Sequence, residues 1–199
     1  MSRKDVGRAL DVKGKIMMNA PFTQDLFIKA WNFASEAHSA QKLPGKNIPY
    51  INHIGNVAME IITAITALPV ECPDLAVQCA LLHDVIEDTD VSYDQVEAVF
   101  GNDVADGVLS LSKDKALPTK QRQMEDSLNR IKRQPKEVWM VKLADRITNL
   151  QPPPHYWDTD KMIQYRDEAI LIHRHLGESH GVLSDRLKGK IDGYQRFIS

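Results

Sequence analysis

The sequence lacks the features that mark membrane, secreted and nucleic-acid-binding proteins. No stretch approaches the roughly 18 consecutive apolar residues that a bilayer-spanning helix needs. The N-terminal segment is polar and mixed in charge, without the apolar centre of a secretory signal. The net charge is −2 and the isoelectric point about 6.4, so no overall positive charge attracts a nucleic acid polymer or an anionic membrane. We therefore expect a cytoplasmic protein that binds neither.

Cysteine is also scarce, with 2 residues in the whole chain. On one helix the Cα atoms of Cys72 and Cys79 would be about 10 Å apart, too far for a disulfide bond. Neither residue belongs to a C-x-x-C pair of the kind that binds zinc. We interpret both as reduced, structural residues, in agreement with a cytoplasmic location.

The sequence does contain a nearly continuous helical pattern. Of its 199 residues 43% are hydrophobic, which is enough for one buried core. Apolar residues recur every three to four positions, and no run alternates as a half-buried strand would. We predict an all-α fold, a single bundle of about eight to ten helices over residues 21–199, after an irregular segment at 1–20. The predicted helices cover about 24–41, 53–67, 73–88, 92–101, 103–112, 119–133, 136–150, 159–176 and 182–198.

The strongest chemical signal is the segment ALLHDVIEDT at positions 80–89. On a helix, His83 and Asp84 would point about 100° apart, so the pair could offer two ligands to one ion. Glu87 and Asp88 would lie one turn further along the same face. Charges on a face that packs against neighbours are costly unless a cation or a basic ligand offsets them. The segment therefore predicts a functional site.

Two further residues complete a candidate metal centre. His53 opens a predicted helix in PYINH, and Asp145 in VKLAD shares an inward-facing stripe with Val138 and Val141. Together with His83 and Asp84 they form a mixed nitrogen and oxygen set, which suits Mn²⁺, Fe²⁺, Zn²⁺ or Co²⁺ better than Ca²⁺. Such an ion lowers the pKa of a bound water, which can then attack phosphorus at neutral pH.

The order His53, His83–Asp84, Asp145 resembles the H…HD…D pattern of HD-superfamily phosphohydrolases. A finer match is to the hydrolase domains of RelA/SpoT-type proteins and their stand-alone relatives, the small alarmone hydrolases. The resemblance covers roughly residues 24–175. It rests on PYINH at 49–53, ALLHDVIEDT at 80–89, DKALP at 114–118 with Arg122, VKLAD followed by Asn149, and Tyr165.

The resemblance implies a single HD-domain helical bundle that removes the 3′-pyrophosphate from guanosine tetra- or pentaphosphate with Mn²⁺ as cofactor. The partner is then a small nucleotide substrate. By position, the metal ligands would be His53, His83, Asp84 and Asp145. Glu87 and Asp88 would activate the water and handle protons around the leaving pyrophosphate. The implied substrate contacts are Asn149 and Tyr165 for the sugar–phosphate part, and Lys115 and Arg122 for phosphate.

The sequence departs from this family before the PYINH motif. The family usually carries an Arg–Lys run there that contacts base and phosphate, whereas this chain has Lys42 followed by Leu43. Lysine cannot stack a flat guanidinium on a base or bind phosphate in a bidentate manner. Lys42 stays a candidate substrate contact, but the base can be guanine or adenine. Two other functions stay open: a nucleotide phosphohydrolase that releases orthophosphate, and a non-catalytic nucleotide sensor.

The remaining polar residues have simpler interpretations. We interpret His38 as a histidine of the core or one that supports the site, and Trp139 as a core residue. Lys142 and Arg146 could line a phosphate pocket, but we interpret them as solvated, because helix cations usually are. The four late histidines are also expected at the surface, namely His155, His173, His175 and His180.

Overall fold

A computed structural model describes residues 21–198, and the predicted irregular segment at 1–20 lies outside them. The described part of the chain is all-α, as predicted, with one isolated antiparallel bridge between Lys42 and Pro49. The α-helices are α1 (Gln24–Ala37), α2 (Ile51–Ala67), α3 (Pro73–Leu82), α4 (Val85–Asp88), α5 (Tyr93–Phe100), α6 (Asn102–Leu111), α7 (Lys120–Ile131), α8 (Lys136–Asn149), α9 (Thr159–Leu176) and α10 (Gly181–Tyr194). Short 3-10 turns cover Gly177–Ser179 and Gln195–Phe197.

Helix α3 forms the centre of the bundle. Every residue from Ala76 to Leu82 is buried, because α3 packs against α1, α2, α6 and α8. Helix α8 is the second central element and packs against α2, α3, α9 and α10. The three helices α2, α3 and α8 thus contact one another pairwise. A side chain from each can therefore reach a common point inside the bundle.

Local sequence explains where several helices begin and end. Ser92 caps α5 through a reciprocal capping box with Gln95, as its sequence predicts. Gly101 ends α5 with φ +87°, a backbone conformation that glycine adopts without strain. Prolines 152–154 separate α8 from α9, because proline cannot continue a helix. No helix in the described residues is both long and apolar enough to cross a bilayer.

Three predicted helix boundaries are wrong. Helix α10 ends at Tyr194 rather than at 198, and a 3-10 turn follows it over Gln195–Phe197. Helix α1 ends at Ala37 rather than near position 41, because the backbone of His38 leaves the helical region with ψ 13°. The predicted helix over 73–88 is interrupted at His83–Asp84, where Asp84 has φ −106° and ψ −2°. This backbone lies in the bridge region between helix and strand, which is common at functional sites. Both residues at the break turn their side chains toward the candidate metal centre, described below.

The histidine and tryptophan residues expected in the core are buried, and one histidine expected at the surface is buried as well. His38 is 2% exposed and Trp139 8% exposed, which confirms both as buried. His180 was expected at the surface but is 4% exposed. Its Nε2 lies 2.9 Å from the carbonyl oxygen of Leu68, so Nε2 carries the proton and ties the start of α10 to the end of α2. Cys72 is exposed and Cys79 buried, and both are free thiols.

The close packing of α6 on α3 and α8 depends on the missing side chain of Gly107. A Cβ atom added there would lie 2.7 Å from Cys79 Sγ and 3.1 Å from Val138 Cγ2. We expect Gly107→Ala to lower the free energy of unfolding by about 1–3 kcal/mol, as overpacking of a core typically does. Urea-induced unfolding followed by circular dichroism measures the change.

Gly189 provides the matched control, because it is also helical but has nothing within 4 Å of an added Cβ. Gly189→Ala should leave the protein unchanged or stabilise it by up to about 1 kcal/mol. Equal effects of the two substitutions would contradict the packing explanation.

Candidate metal centre and active site

Three of the four predicted metal ligands meet where α2, α3 and α8 contact one another. His53 lies in the first turn of α2, His83 directly follows α3, and Asp145 lies in α8. The two Nε2 atoms of the histidines are 3.3 Å apart, and Asp145 Oδ1 lies 3.4 Å from His53 Nε2. One donor atom from each residue lies within 4.8 Å of the other two, which is close enough to bind a single ion.

Asp84 brings a second carboxylate to the same point. Its Oδ2 lies 2.9 Å from His83 Nε2 and 3.7 Å from His53 Nε2. The hydroxyl of Tyr50 donates a hydrogen bond of 2.6 Å to the same oxygen. All four predicted ligands therefore converge, although the helix break places them differently from the continuous helix that we expected.

The negative charges of the two aspartates in this cluster are balanced by nearby positive charges. Burial opposes ionisation of both carboxyl groups, but His83 holds the pKa of Asp84 below its usual value, and Lys142 chiefly does the same for Asp145. Burial would lower the pKa of His83, yet the Asp84 carboxylate outweighs it and raises that pKa to about 9. Burial and the nearby Asp84 raise the pKa of Tyr50, so its hydroxyl stays a donor. The cluster is thus built to hold two carboxylates in their charged form.

Hydrogen bonds outside the cluster orient its members. His83 Nδ1 donates to the carbonyl oxygen of Ala80 at 2.8 Å, which directs Nε2 toward the cluster. Lys142 Nζ lies 3.2 Å from Asp145 Oδ2, and the Asn149 amide donates to Asp145 Oδ1. Such supporting contacts fix ligand orientation before an ion arrives.

Glu87 and Asp88, the predicted acid–base pair, follow on the short helix α4. The Glu87 carboxylate accepts a 2.8 Å hydrogen bond from the backbone N–H of Lys113, and its side chain is 14% exposed. Asp88 is more open, with its Oδ1 3.4 Å from Lys115 Nζ. The segment after α6 therefore contacts both acids, and Glu87 shares the lining of one cleft with Asp145.

Two clefts flank the cluster. The first, here the aromatic cleft, has a volume of about 690 Å³ and is lined by His53, the 43–46 loop, the 151–157 segment, Tyr165 and Tyr194. The second, here the cationic cleft, has a volume of about 380 Å³ and includes Asp145 and Glu87 in its lining. Its positive lining residues are Lys113, Lys115, Lys120, Lys142, Arg146 and Lys161, against three acidic residues, Glu87, Asp145 and Glu168.

The predicted substrate contacts fall into three groups. Lys115 lines the cationic cleft, and Asn149 and Tyr165 line both clefts. Lys42 is exposed, and its ammonium donates to the side chain of Asn47 within its own loop. Arg122 is exposed in the first turn of α7, and neither Lys42 nor Arg122 is among the residues that line the two clefts. The structure therefore gathers three of the five predicted contacts around the cluster.

Two cations expected at the surface are buried. Lys142 is 6% and Arg146 5% exposed, so the solvated interpretation was wrong, and both residues line the cationic cleft. The Arg146 guanidinium stacks over the Tyr165 ring at 4.6 Å, and its Nη2 lies 3.3 Å from Glu168. Its Nε and Nη1 have no hydrogen-bond partner among the described residues. The sequence did contain a signal for this burial. On α8, helical spacing places Lys142 and Arg146 on the same side as Asp145 and Asn149.

The donor chemistry of the cluster fits a divalent metal ion. Two imidazoles and two carboxylates form the mixed set that Mn²⁺, Fe²⁺, Zn²⁺ and Co²⁺ accept, and the two negative charges match a divalent cation. Together with an all-α bundle, this cluster defines a metal-dependent hydrolase domain of the α-helical class.

Comparison with known proteins identifies the family. The HD domain profile matches residues 30–183. The chain is 33% identical over 179 residues to the guanosine-3′,5′-bis(diphosphate) 3′-pyrophosphohydrolase MESH1 of Danio rerio, covering 86% of this chain and 94% of that protein. The MESH1 of Xenopus tropicalis is 34% identical over 81% of this chain and 90% of its own length. The chain therefore belongs to the HD domain family, in the branch of RelA/SpoT-type hydrolases.

A solved structure supports the same assignment. It is described as a metazoan ortholog of SpoT that hydrolyses ppGpp and plays a role in starvation responses. The TM-score is 0.73 at 28% sequence identity, over 87% of this chain and 97% of that one. The similarity thus extends over nearly the whole of the neighbour.

A divalent ion that binds the cluster should stabilise the folded protein. At an ion concentration about 100-fold above Kd the gain is about 2.7 kcal/mol, which raises the Tm of a domain of this size by roughly 5–10 °C. Thermal unfolding with and without MnCl₂ measures the shift. Asp84→Ala should lose most of it, because one of two carboxylates is removed.

Asp185→Ala is the control for this experiment, since Asp185 is an exposed residue of α10. This variant should keep the full shift. An undiminished shift in Asp84→Ala would show that the ion binds elsewhere.

Proposed function

We propose that this protein is an Mn²⁺-dependent hydrolase that removes the 3′-pyrophosphate from a guanosine or adenosine 3′,5′-bis(diphosphate). The observation that carries the proposal is the position of Glu87 and the His/Asp cluster at the edge of a cleft with six cationic side chains. Relatives that cover nearly the same length are 3′-pyrophosphohydrolases of the guanosine compound. Mn²⁺ agrees with the mixed donor set.

The two clefts divide the substrate between them. The aromatic cleft suits the nucleoside, because it offers aromatic faces at Tyr156 and Trp157 and little charge. The cationic cleft suits phosphate groups, and Arg146 brings to it a guanidinium with two unpaired nitrogens. Asn149 and Tyr165 line both clefts, so they lie where the ribose would connect the base to the phosphate groups.

The reaction is a hydrolysis at the phosphorus bonded to ribose O3′. Water adds to this phosphorus and gives up one proton to a base, the P–O3′ bond breaks, and O3′ leaves and takes up one proton, so that inorganic pyrophosphate and a free 3′-hydroxyl are released. The proposed ligands His53, His83, Asp84 and Asp145 would hold the ion, which supplies Lewis acidity that activates water and offsets phosphoryl charge. Glu87 accepts the proton of the attacking water, since the Lys113 N–H fixes its carboxylate at the cleft. The more exposed Asp88 exchanges protons with solvent beside the leaving group.

The cations of the cleft stabilise the charge that develops on the phosphoryl oxygens. Lys142 and Arg146 are buried. Their positive charges therefore act in a poorly hydrated environment, where the attraction to phosphoryl oxygens is stronger than in water. Lys115 lies at the open side, with its ammonium between Asp88 and the backbone oxygen of Glu87. Arg122 and Lys42 would reach phosphate only from the exposed rim.

The residues around the aromatic cleft accept either guanine or adenine as the base. The Lys42 ammonium donates a hydrogen bond to Asn47. Leu43 and Lys46 of the same loop line the aromatic cleft instead. An apolar leucine does not discriminate between the hydrogen-bonding edges of guanine and adenine. Both ppGpp and ppApp are therefore proposed substrates.

The extent of the domain also forms part of this proposal. We place the hydrolase domain at residues 21–199, beyond the profile match at 30–183. Helix α1 begins at Gln24, and α10 continues to Tyr194 and packs against α8 and α9, so both ends add to the same core. The two free thiols agree with a cytoplasmic location.

Product analysis after incubation with Mn²⁺ and, separately, ppGpp or ppApp tests the function. We expect inorganic pyrophosphate and the nucleoside 5′-diphosphate, because the cluster lies between a nucleoside-sized and a phosphate-sized cleft. Orthophosphate as the sole inorganic product would favour a general nucleotide phosphohydrolase. Tight binding of either nucleotide without turnover would identify a sensor.

Glu87→Gln should lower kcat by about 10²-fold or more, as loss of a general base typically does. Mn²⁺ binding should persist, since the amide replaces a group outside the proposed ligand set. Steady-state kinetics and calorimetric Mn²⁺ titration measure the two effects. The exposed Glu36→Gln in α1 is the control and should match the wild type. Unchanged turnover in Glu87→Gln would assign the proton transfer to another group.

A further inference from the structure

Tyr50 is an uncharged residue that contacts the candidate metal centre directly. It is the N-cap of α2, three positions before His53, and its side chain is half-buried. Its ring lies between two histidines, with centroids 5.1 Å from His38 and 5.3 Å from His53. Its hydroxyl donates to Asp84 Oδ2, the same oxygen that lies 2.9 Å from His83 Nε2.

We propose that Tyr50 is a positioning residue of the metal centre, which holds Asp84 Oδ2 in the orientation that faces His53 and His83. The inference rests on the proposed metal-dependent function and names a residue on which metal affinity depends. Asp84 needs such a partner because it lies at the break between α3 and α4. It is the N-cap of α4, yet its side chain accepts no capping hydrogen bond from the helix backbone.

The two carboxylates of the cluster are held by different chemistry. Asp145 is oriented by the Lys142 ammonium and the Asn149 amide. Asp84 is oriented by a phenol, which fixes an oxygen without adding a positive charge near it. A second ammonium at this position would repel a divalent ion, whereas a neutral donor does not. Tyr50 therefore orients Asp84 while leaving its negative charge available to the ion.

The backbone around Tyr50 fixes the position of its hydroxyl. The Tyr50 N–H donates to the carbonyl oxygen of Gln41 at 2.9 Å, next to the bridge between Lys42 and Pro49. The Gln41 side chain in turn hydrogen-bonds His38 Nδ1, and His38 is 2% exposed. Tyr50 is thus anchored to the end of α1 through its backbone and to the cluster through its side chain.

The test uses Tyr50→Phe, which removes one oxygen atom and keeps the ring between the two histidines. We expect the Kd for Mn²⁺ to rise about 10–100-fold, the usual effect of losing a partner that orients a metal ligand. Electron paramagnetic resonance of free Mn²⁺ measures Kd in the full-length protein without reference to turnover. At saturating Mn²⁺ the kcat should return to within about 3-fold of the wild type, because the catalytic acids are untouched.

Tyr93→Phe is the matched control. The Tyr93 hydroxyl also donates to a carboxylate, Asp106 Oδ1 at 2.9 Å, but it lies on α5, away from the cluster. This variant should keep the wild-type Kd for Mn²⁺. A wild-type Kd in Tyr50→Phe, or an equal rise in both variants, would overturn the proposal.

A second comparison asks whether Tyr50 acts through Asp84. In an Asp84→Asn background, adding Tyr50→Phe should change the Kd for Mn²⁺ by less than about 3-fold, because the oriented carboxylate is already gone. A further 10-fold rise would assign the effect to general loosening of the site. Wild-type protein that binds no Mn²⁺ would overturn both the proposed function and this inference, whereas failure of the inference alone leaves wild-type binding intact.

Discussion

The rest of the structure depends on one electrostatic constraint, the burial of two carboxylates at a single point. Asp84 and Asp145 repel each other, and neither can be hydrated as it would be at the surface. The chain supplies compensating positive charge from the His83 imidazole and the Lys142 ammonium. A divalent cation meets the same demand with two charges at the centre. The helices that surround this point are the framework that makes such an arrangement tolerable.

The framework is formed by α2, α3 and α8, which bring the candidate ligands together. Helix α3 is buried from Ala76 to Leu82, and the departure from regular helical geometry occurs just after it, at Asp84, where φ is −106° and ψ −2°. The side chains of the adjacent residues His83 and Asp84 meet at one point, with His83 Nε2 2.9 Å from Asp84 Oδ2. Gly107 allows α6 to approach α3 closely behind this region. Rigid packing and a local irregularity thus act together.

The sequence was sufficient to predict the all-α fold and the convergence of the four candidate ligands, because helical periodicity and the H…HD…D order are local signals. It did not predict the break at His83–Asp84, which arises from convergence on one point and not from any helix-breaking residue. Nor did it predict which cations are buried. Arg146 contacts Tyr165 and Glu168 of α9, and Lys142 pairs with Asp145 at the candidate metal centre, whereas Lys42 bonds to its own loop. These outcomes depend on contacts between segments that are distant in sequence.

Asn149, Trp157 and Tyr165 line both clefts and therefore form a partition between them. A molecule that fills both volumes has to carry its aromatic ring and its anionic group on opposite sides of this partition. A linear polyphosphate satisfies one side, and a free nucleoside satisfies the other. A nucleotide combines an aromatic base with anionic groups and can occupy both clefts at once. The partition thus separates a site suited to an aromatic group from a site suited to an anionic group.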